Sequence, residues 1–356
     1  MLVHRYDGED YLRGDCPYYY WTTLSLLRDH DLDLSNQLPG GLSFHFDQVS
    51  LAQDGRVVPK HPIALPVMAL PFVAIFGRAG TLGLNVALMA GLVVVLYRLA
   101  LRAAAPVAAA VATALTTTLS FLPHYLWNFS PDVLATTATA GAWLALTPEE
   151  VPLRRRRDGL GGALLGLACL AKPALVCVLP GAALLLLPGW RRRAAPVLAG
   201  LAVPLALGAL LNVHLFGAPQ VTGYDRIARV GPHGLETYSQ RDDFGQPVMK
   251  GLKRQLRHPT QGLLATSAIT LVSWLGLPLL ARRHGRLASS VALSSATLVV
   301  FFSTYTLWDS SHYGNRHLMA AVALAVLPLA ALIDPRGALR SPSPRAAPGS
   351  PAPGTE

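Results

Sequence analysis

Thr81-Leu-Gly-Leu-Asn-Val-Ala-Leu-Met-Ala-Gly-Leu-Val-Val-Val-Leu-Tyr-Arg-Leu-Ala-Leu101 is long and apolar enough to cross a bilayer as one helix. Similar runs recur on both sides of it. The chain of 356 residues is 52% hydrophobic and only 14% charged, against about 25% charged in soluble domains. These values imply an all-α polytopic membrane protein. The net charge of +10 is no nucleic-acid signal, because the cations stand in short clusters between apolar runs and no basic groove with interleaved aromatics is present.

Working outward, the apolar run Ile63–Phe76 carries Pro66 and Pro71 and is short for a crossing, so it is expected to be a juxtamembrane or re-entrant helix. Beyond Thr81–Leu101, crossings are expected at Val107–Leu122, Val133–Leu146, Gly159–Ala171, Ala174–Trp190, Pro196–Phe216, Gly262–Ala281, Leu287–Leu307 and Leu318–Ile333, about nine in all. Three parts follow: a polar segment 1–60, a helical bundle 61–334 with a long loop 217–261, and a Pro/Ser/Ala/Arg-rich tail 335–356 expected to be disordered and cytoplasmic.

Arg98/Arg102, Arg154–Arg157, Arg191–Arg193 and Arg282/Arg283/Arg286 all fall on one side if Ile63–Phe76 does not cross and Lys172 marks a hairpin. The positive-inside rule makes that side cytoplasmic. Fifteen of the 20 acids then lie opposite, nine of them within residues 1–60. Acids do not set topology, so their gathering calls for another cause, and a reaction site would supply one. No apolar run stands before residue 60 to carry this segment across, which predicts a helix upstream of this sequence.

Within the segment, Asp15 stands between Gly14 and Pro17, next to the aromatic run Tyr18–Trp21. It reads as a helix N-cap or as a general base toward a hydroxyl, and the two roles can coexist. Lys60-His61-Pro62 is a cationic pair suited to anions or to a snorkelling interfacial position. Asp132 opens a helix, where a carboxylate is favoured in any case. Lys172 sits between apolar helices, a costly place for a charge and hence a functional candidate. In Trp308–His317, Gly314 permits a turn and Arg316 can fork onto phosphate oxygens; a plain interfacial loop is the other reading. The three cysteines and eleven histidines show no ligand spacing, so no metal site and no cofactor is expected.

In order and spacing these pieces resemble the GT-C superfamily of polyprenyl-phosphate-sugar-dependent glycosyltransferases, in particular the branch of protein O-mannosyltransferases and the lipid A aminoarabinose transferase. Gly14-Asp15-Cys16-Pro17-Tyr18-Tyr19 resembles the family's Gly-Asp-Glu-Pro-x-Tyr, and Lys60-His61-Pro62 its Lys-Pro-Pro-Leu. Asn128–Asp132, Gly166–Pro173, Asn212–Gly217 with Pro219 and Tyr224, Pro259–Leu264, and Trp308–Leu318 continue the likeness over roughly residues 10–335. Cys16 departs from the pattern where an acid is usual, which puts a paired-carboxylate or metal-assisted site in doubt.

The resemblance implies a GT-C-like helical bundle in a bacterial-type inner membrane with an extracytoplasmic site. There a sugar would pass from a polyprenyl phosphate to the hydroxyl of a glycan, lipid or protein, with inversion. It implies Asp15 as general base and Lys60, His61, Lys172 and Arg316 around the donor phosphate. Asp132, Tyr19, Tyr224, His312 and Tyr313 would lie toward sugar or acceptor, with 217–261 as a lid. A lipid-linked-sugar transporter or flippase, and an inactive relative serving as scaffold, are the alternatives.

Overall fold

The computed structural model describes residues 12, 14–147, 154–187, 189–231, 234–307 and 313–336. Three layers matter for the site: an N-terminal helical segment, a bundle of apolar helices, and a small sheet over one end of that bundle. The segment 12–60 contains α1 (Cys16–Arg28) and the short strands β1 (Val49–Leu51) and β2 (Val57–Pro59). The bundle begins with α2 (Ala64–Phe76), whose C-cap Gly77 turns the chain with φ of 56° into α3 (Ala79–Ala100). Only glycine takes that backbone region without penalty. Close packing of the turn is also required, since a Cβ on Gly80 would strike the Phe72 carbonyl.

Prolines open α4 (Pro106–Thr118) and α5 (Pro131–Leu146), where a missing amide costs the helix nothing. Next come α6 (Arg154–Ala171), a 3-10 stretch at Pro173–Val178, α7 (Leu179–Leu184) and α8 (Trp190–Phe216). The loop after α8 carries β3 (Ile227–Gly231) and β4 (Gly234–Tyr238), then α9 (Val248–Arg257). α10 (Leu263–Thr266), α11 (Ala268–Trp274) and α12 (Leu277–Ser303) follow, and α13 (Met319–Leu324) with α14 (Val326–Ile333) ends the bundle.

Among the described residues four helical stretches are long and apolar enough to cross a membrane: α3, α8, α12 and 316–333. The last is almost wholly enclosed, with Leu318–Leu327 buried without interruption. Its alanines let neighbouring helices approach closely where no hydrophobic effect drives them together. α8 shows the opposite pattern, turning Val203, Leu207 and Leu210 outward as a lipid-facing helix does.

Several expected boundaries shift. Val107–Leu122 is not one helix; α4 stops at Thr118 and a 3-10 turn occupies Leu122–Trp127. Arg154–Arg157 forms the first turn of α6 rather than a loop. Trp190 opens α8 instead of closing the preceding helix, and Pro196 lies inside α8. Gly262–Ala281 is broken into α10, α11 and the start of α12, and α12 bends at His284, whose φ of −122° and ψ of 56° are not helical. The hairpin expected at Lys172 is present: α6 ends there, and the 3-10 stretch returns against α12, where Thr297 donates to the Cys177 carbonyl at 2.6 Å. Its steeper rise, about 2.0 Å per residue, lengthens this short return leg.

The bundle has two chemically distinct ends. At one, Arg193 is buried against Asp158 and donates to the carbonyls of Leu146 and Leu185, while Asp334 accepts from the Ala105 amide. Arg98, Arg102, Arg155–Arg157 and Arg191–Arg193 all belong to this end, so the basic clusters do fall together. At the other end α3, α5 and 316–333 begin, and α6, α8 and α12 finish.

That second end carries a four-stranded antiparallel sheet of order β2-β1-β3-β4. Its central pairing sets Ser50 opposite Ile227 and so joins the N-terminal segment to the 217–261 loop. The fold is helical, but this sheet goes beyond the all-helical expectation.

Candidate active site

Gly14 (φ 60°) and Pro17 set the chain at the start of α1. The Asp15 side chain does not cap this helix, although the residue holds the N-cap position. Its carboxylate reaches Arg316 instead, with Oδ2 2.9 Å from Nη1. Oδ1 lies 3.9 Å from His61 Nε2. The His61 ring is stacked on Tyr19 at 4.9 Å between centroids, and its Nδ1 is 3.1 Å from the Tyr224 hydroxyl. Tyr224 is brought there by backbone packing, because Gly223 presses against the Lys60 backbone so closely that a Cβ would collide.

A second acid lies beneath. Asp132, in the first turn of α5, is buried and pairs with Lys172 Nζ. Lys172 also donates to the Arg316 carbonyl at 3.1 Å. The lysine therefore holds the backbone of the residue whose guanidinium holds Asp15. Gly314 (φ 77°), packed on Phe121, donates its amide to the Thr260 carbonyl at 2.9 Å, and Asn315 accepts from the His317 amide. These contacts fix the late loop from three sides.

Electrostatics follow from this packing. Burial works against ionisation of Asp15, but the Arg316 guanidinium, helped by Lys60, outweighs it and holds the carboxyl below the ordinary range. Burial pushes His61 down to about 3 despite the neighbouring Asp15, so its ring is neutral at pH 7 and Arg316 carries the attraction. Burial also lowers Lys60, opposed by Asp15. Its Nζ donates to the Asp47 carbonyl at 2.6 Å and to Gln48 Oε1 at 3.3 Å. Tyr224 is raised by burial and by Asp15.

Of the residues singled out in the sequence, Asp15, Tyr19, His61, Asp132, Lys172, Tyr224 and Arg316 converge, and Lys60 stands at their edge. Tyr313 is half-exposed beside His124, and His312 lies outside the described residues. Two residues were passed over. Asn128 accepts from the Cys16 thiol at 2.9 Å, so Cys16 is a structural contact where the family pattern has an acid. Tyr125 is fully buried, and its hydroxyl has no hydrogen-bond partner among the described residues. Both occupy the stretch His124–Asp132, whose closeness to Asp132 in sequence was the available signal.

A cavity of about 250 Å³ opens beside the cluster. Lys60, His61 and Tyr224 line its polar end, and Leu170, Leu205 and Leu215 belong to its apolar wall between α6 and α8. Among the described residues no group of three His, Cys, Asp or Glu side chains gathers as metal ligands would.

A comparison with protein-family models finds no match, and a comparison with curated protein sequences finds none either. Solved structures do match by shape. ArnT from Cupriavidus metallidurans, bound to undecaprenyl phosphate, superposes with a TM-score of 0.57 at 14% identity, over 91% of this chain and 56% of that one. The Archaeoglobus fulgidus oligosaccharyltransferase tethered with an acceptor peptide gives 0.56 at 13% identity, over 90% of this chain and 46% of that one. AglB from the same organism, in complex with an inhibitory peptide and a dolichol-phosphate, gives 0.50 at 13%. This chain thus spans about half the length of these proteins. Its helical bundle shares the fold of these proteins.

Proposed function

We propose that this chain is a membrane glycosyltransferase that moves a sugar from a polyprenyl phosphate to an acceptor hydroxyl at the extracytoplasmic face, with inversion. The observation that carries the reading is the 2.9 Å contact between Asp15 and Arg316, residues far apart in the sequence, with His61, which lines a largely apolar cavity, 3.9 Å from the same carboxylate. The basic clusters at the far end of the bundle support the orientation. Neighbours of the same fold were solved with undecaprenyl phosphate, a dolichol-phosphate and an acceptor peptide, which supports lipid-linked donor and acceptor as partner classes.

In this reading Arg316 is the pivot. With no donor it neutralises Asp15 and leaves it a weak base. An arriving phosphate takes the guanidinium, for which its oxygens are a bidentate match. Asp15, still largely buried, then loses its counter-charge and its basicity rises. It accepts the acceptor's hydroxyl proton as that oxygen attacks the anomeric carbon from the face opposite the phosphate. The carbon–oxygen bond to phosphate breaks, and the lipid phosphate leaves with the electron pair. Arg316 and Lys60 stabilise the charge that develops there. Lys172 is committed to Asp132 and the Arg316 backbone, so its part is to position. The apolar wall between α6 and α8 accommodates the polyprenyl chain.

Reconstitution with defined polyprenyl-phosphate sugars tests the assignment. Asp15→Asn is expected to lower kcat by about 10²–10⁴-fold with donor binding retained. Undiminished transfer by the variant removes Asp15 from the chemistry. Donor binding and translocation without transfer by the parent chain favours a transporter instead.

A further inference from the structure

We propose that α9 lies in the membrane plane and binds anionic phospholipid headgroups on the face of the bundle that carries the site. At about 100° per residue, its sequence divides the helix into three lengthwise sectors. Gly251 and Gln255 form the first and are buried against α12. Gly251 lies so close to the Ser303 backbone that a Cβ would collide, and Gln255 donates to Ser303 Oγ at 2.8 Å and to the Val299 carbonyl at 3.1 Å. Leu252, Leu256 and Met249 form the second sector, and Met249 is 63% exposed. Lys253, Arg257, Lys250 and Arg254 form the third, and the helix contains no acid. Lys250, Lys253 and Arg257 are exposed.

An apolar edge beside a cationic edge is the pattern of a helix seated at the boundary of acyl chains and headgroups. The surroundings put that boundary at α9. Next to it in the chain, Leu264, Val272 and Leu275 are exposed, as is Val300 beneath its contact with α12. This surface is the lipid-facing wall of the bundle.

Charge adds a second argument. Sheet pairing places the 217–261 loop on the same end as Asp15, away from the arginine clusters of α6 and α8. Four cations so near a crossing helix on that end run against the usual asymmetry. Attraction to anionic headgroups gives them a reason to be there. The seat bears on the site, because Thr260, three residues past α9, accepts from the Gly314 amide two residues before Arg316.

The test uses the full chain in nanodiscs with a bimane probe on M249C in a C177S background, and needs no transfer activity. Acyl-brominated phosphatidylglycerol is expected to quench the probe at least about threefold more strongly than brominated phosphatidylcholine at equal mole fraction. The preference should vanish in K250Q/K253Q/R257Q and in 1 M salt, while K250R/K253R retains it. Equal quenching by the two lipids overturns headgroup recognition. Quenching by iodide without quenching by either lipid overturns the in-plane seat. Displacement of the lipid preference by soluble polyglutamate at low mole ratio reassigns the cations to a soluble polyanion and overturns the proposal.

Discussion

Asp15 and His61 are both charge-changing groups held away from water, and each shows its environment in a different way. The Asp15 carboxyl is depressed by Arg316, so its contribution to stability is present above the unfolded value of about 3.9 and is lost as pH falls through the folded one. His61 is buried neutral with its value down at about 3. It therefore penalises the folded state as pH drops below about 6.5, where the unfolded ring takes a proton first. Both effects act on the acid side. Thermal stability of the parent should fall between pH 6.5 and 4.5, and His61→Gln should flatten that fall; equal slopes for the two proteins would count against a buried neutral ring. Arg316→Ala should raise the donor KM about 10–100-fold, the range for losing charge-assisted hydrogen bonds, with acceptor KM changed far less. The reverse split would move Arg316 to the acceptor.

At the scale of elements, the bundle is held by features that differ in how far sequence betrays them. Apolar runs gave the helices of 79–100 and 316–333 almost to the residue, because bilayer thickness dictates their length. Broken elements were harder. The span was expected to start at Pro196, yet α8 begins at Trp190, because in lipid a helix keeps its axis through proline when its neighbours satisfy the freed carbonyls. The sheet had no usable signal, since β1 and β2 are three residues each and the β1–β3 register depends on folding of the whole bundle.

Arg193 illustrates the same limit, for it reads as one of a basic cluster and turns out to form a buried ion pair with Asp158, tying α6 to α8. Arg193→Leu should destabilise the protein by about 3–5 kcal/mol, because it strands a buried carboxylate. Adding Asp158→Asn should recover part of the loss in detergent melting experiments. Filling the apolar cavity with Ala209→Trp should weaken donor binding and leave the fold intact, measured as donor KM against Tm.

For the whole molecule, the legible part was the separation of charge: the arginine clusters of α3, α6 and α8 at one end and the site with most acids at the other, the cations of α9 being the exception. The convergence of Asp15, His61, Asp132, Lys172, Tyr224 and Arg316 was expected from the resemblance. The division of labour among them was not. Nothing in the sequence says that Lys172 grips the Arg316 backbone or that Asp15 rests on Arg316, because both depend on packing between distant segments. Impermeant maleimide labelling of Arg157→Cys and Lys253→Cys tests the arrangement as a unit. The two sites should react from opposite sides of sealed vesicles, and labelling of both from one side would overturn the two-ended bundle.

The contact between the first acid and the late arginine also has a bearing on biogenesis. As the chain leaves the ribosome, the aspartate emerges long before its counter-ion, with most of the bundle inserted in between. Until then the Asp15 carboxylate lacks its guanidinium partner, and burying it at the start of α1 carries the cost of an uncompensated charge. Assembly of the site thus waits for the stretch 316–333, and a nascent chain stalled before residue 313 should expose Cys16 to thiol reagents that the folded protein excludes.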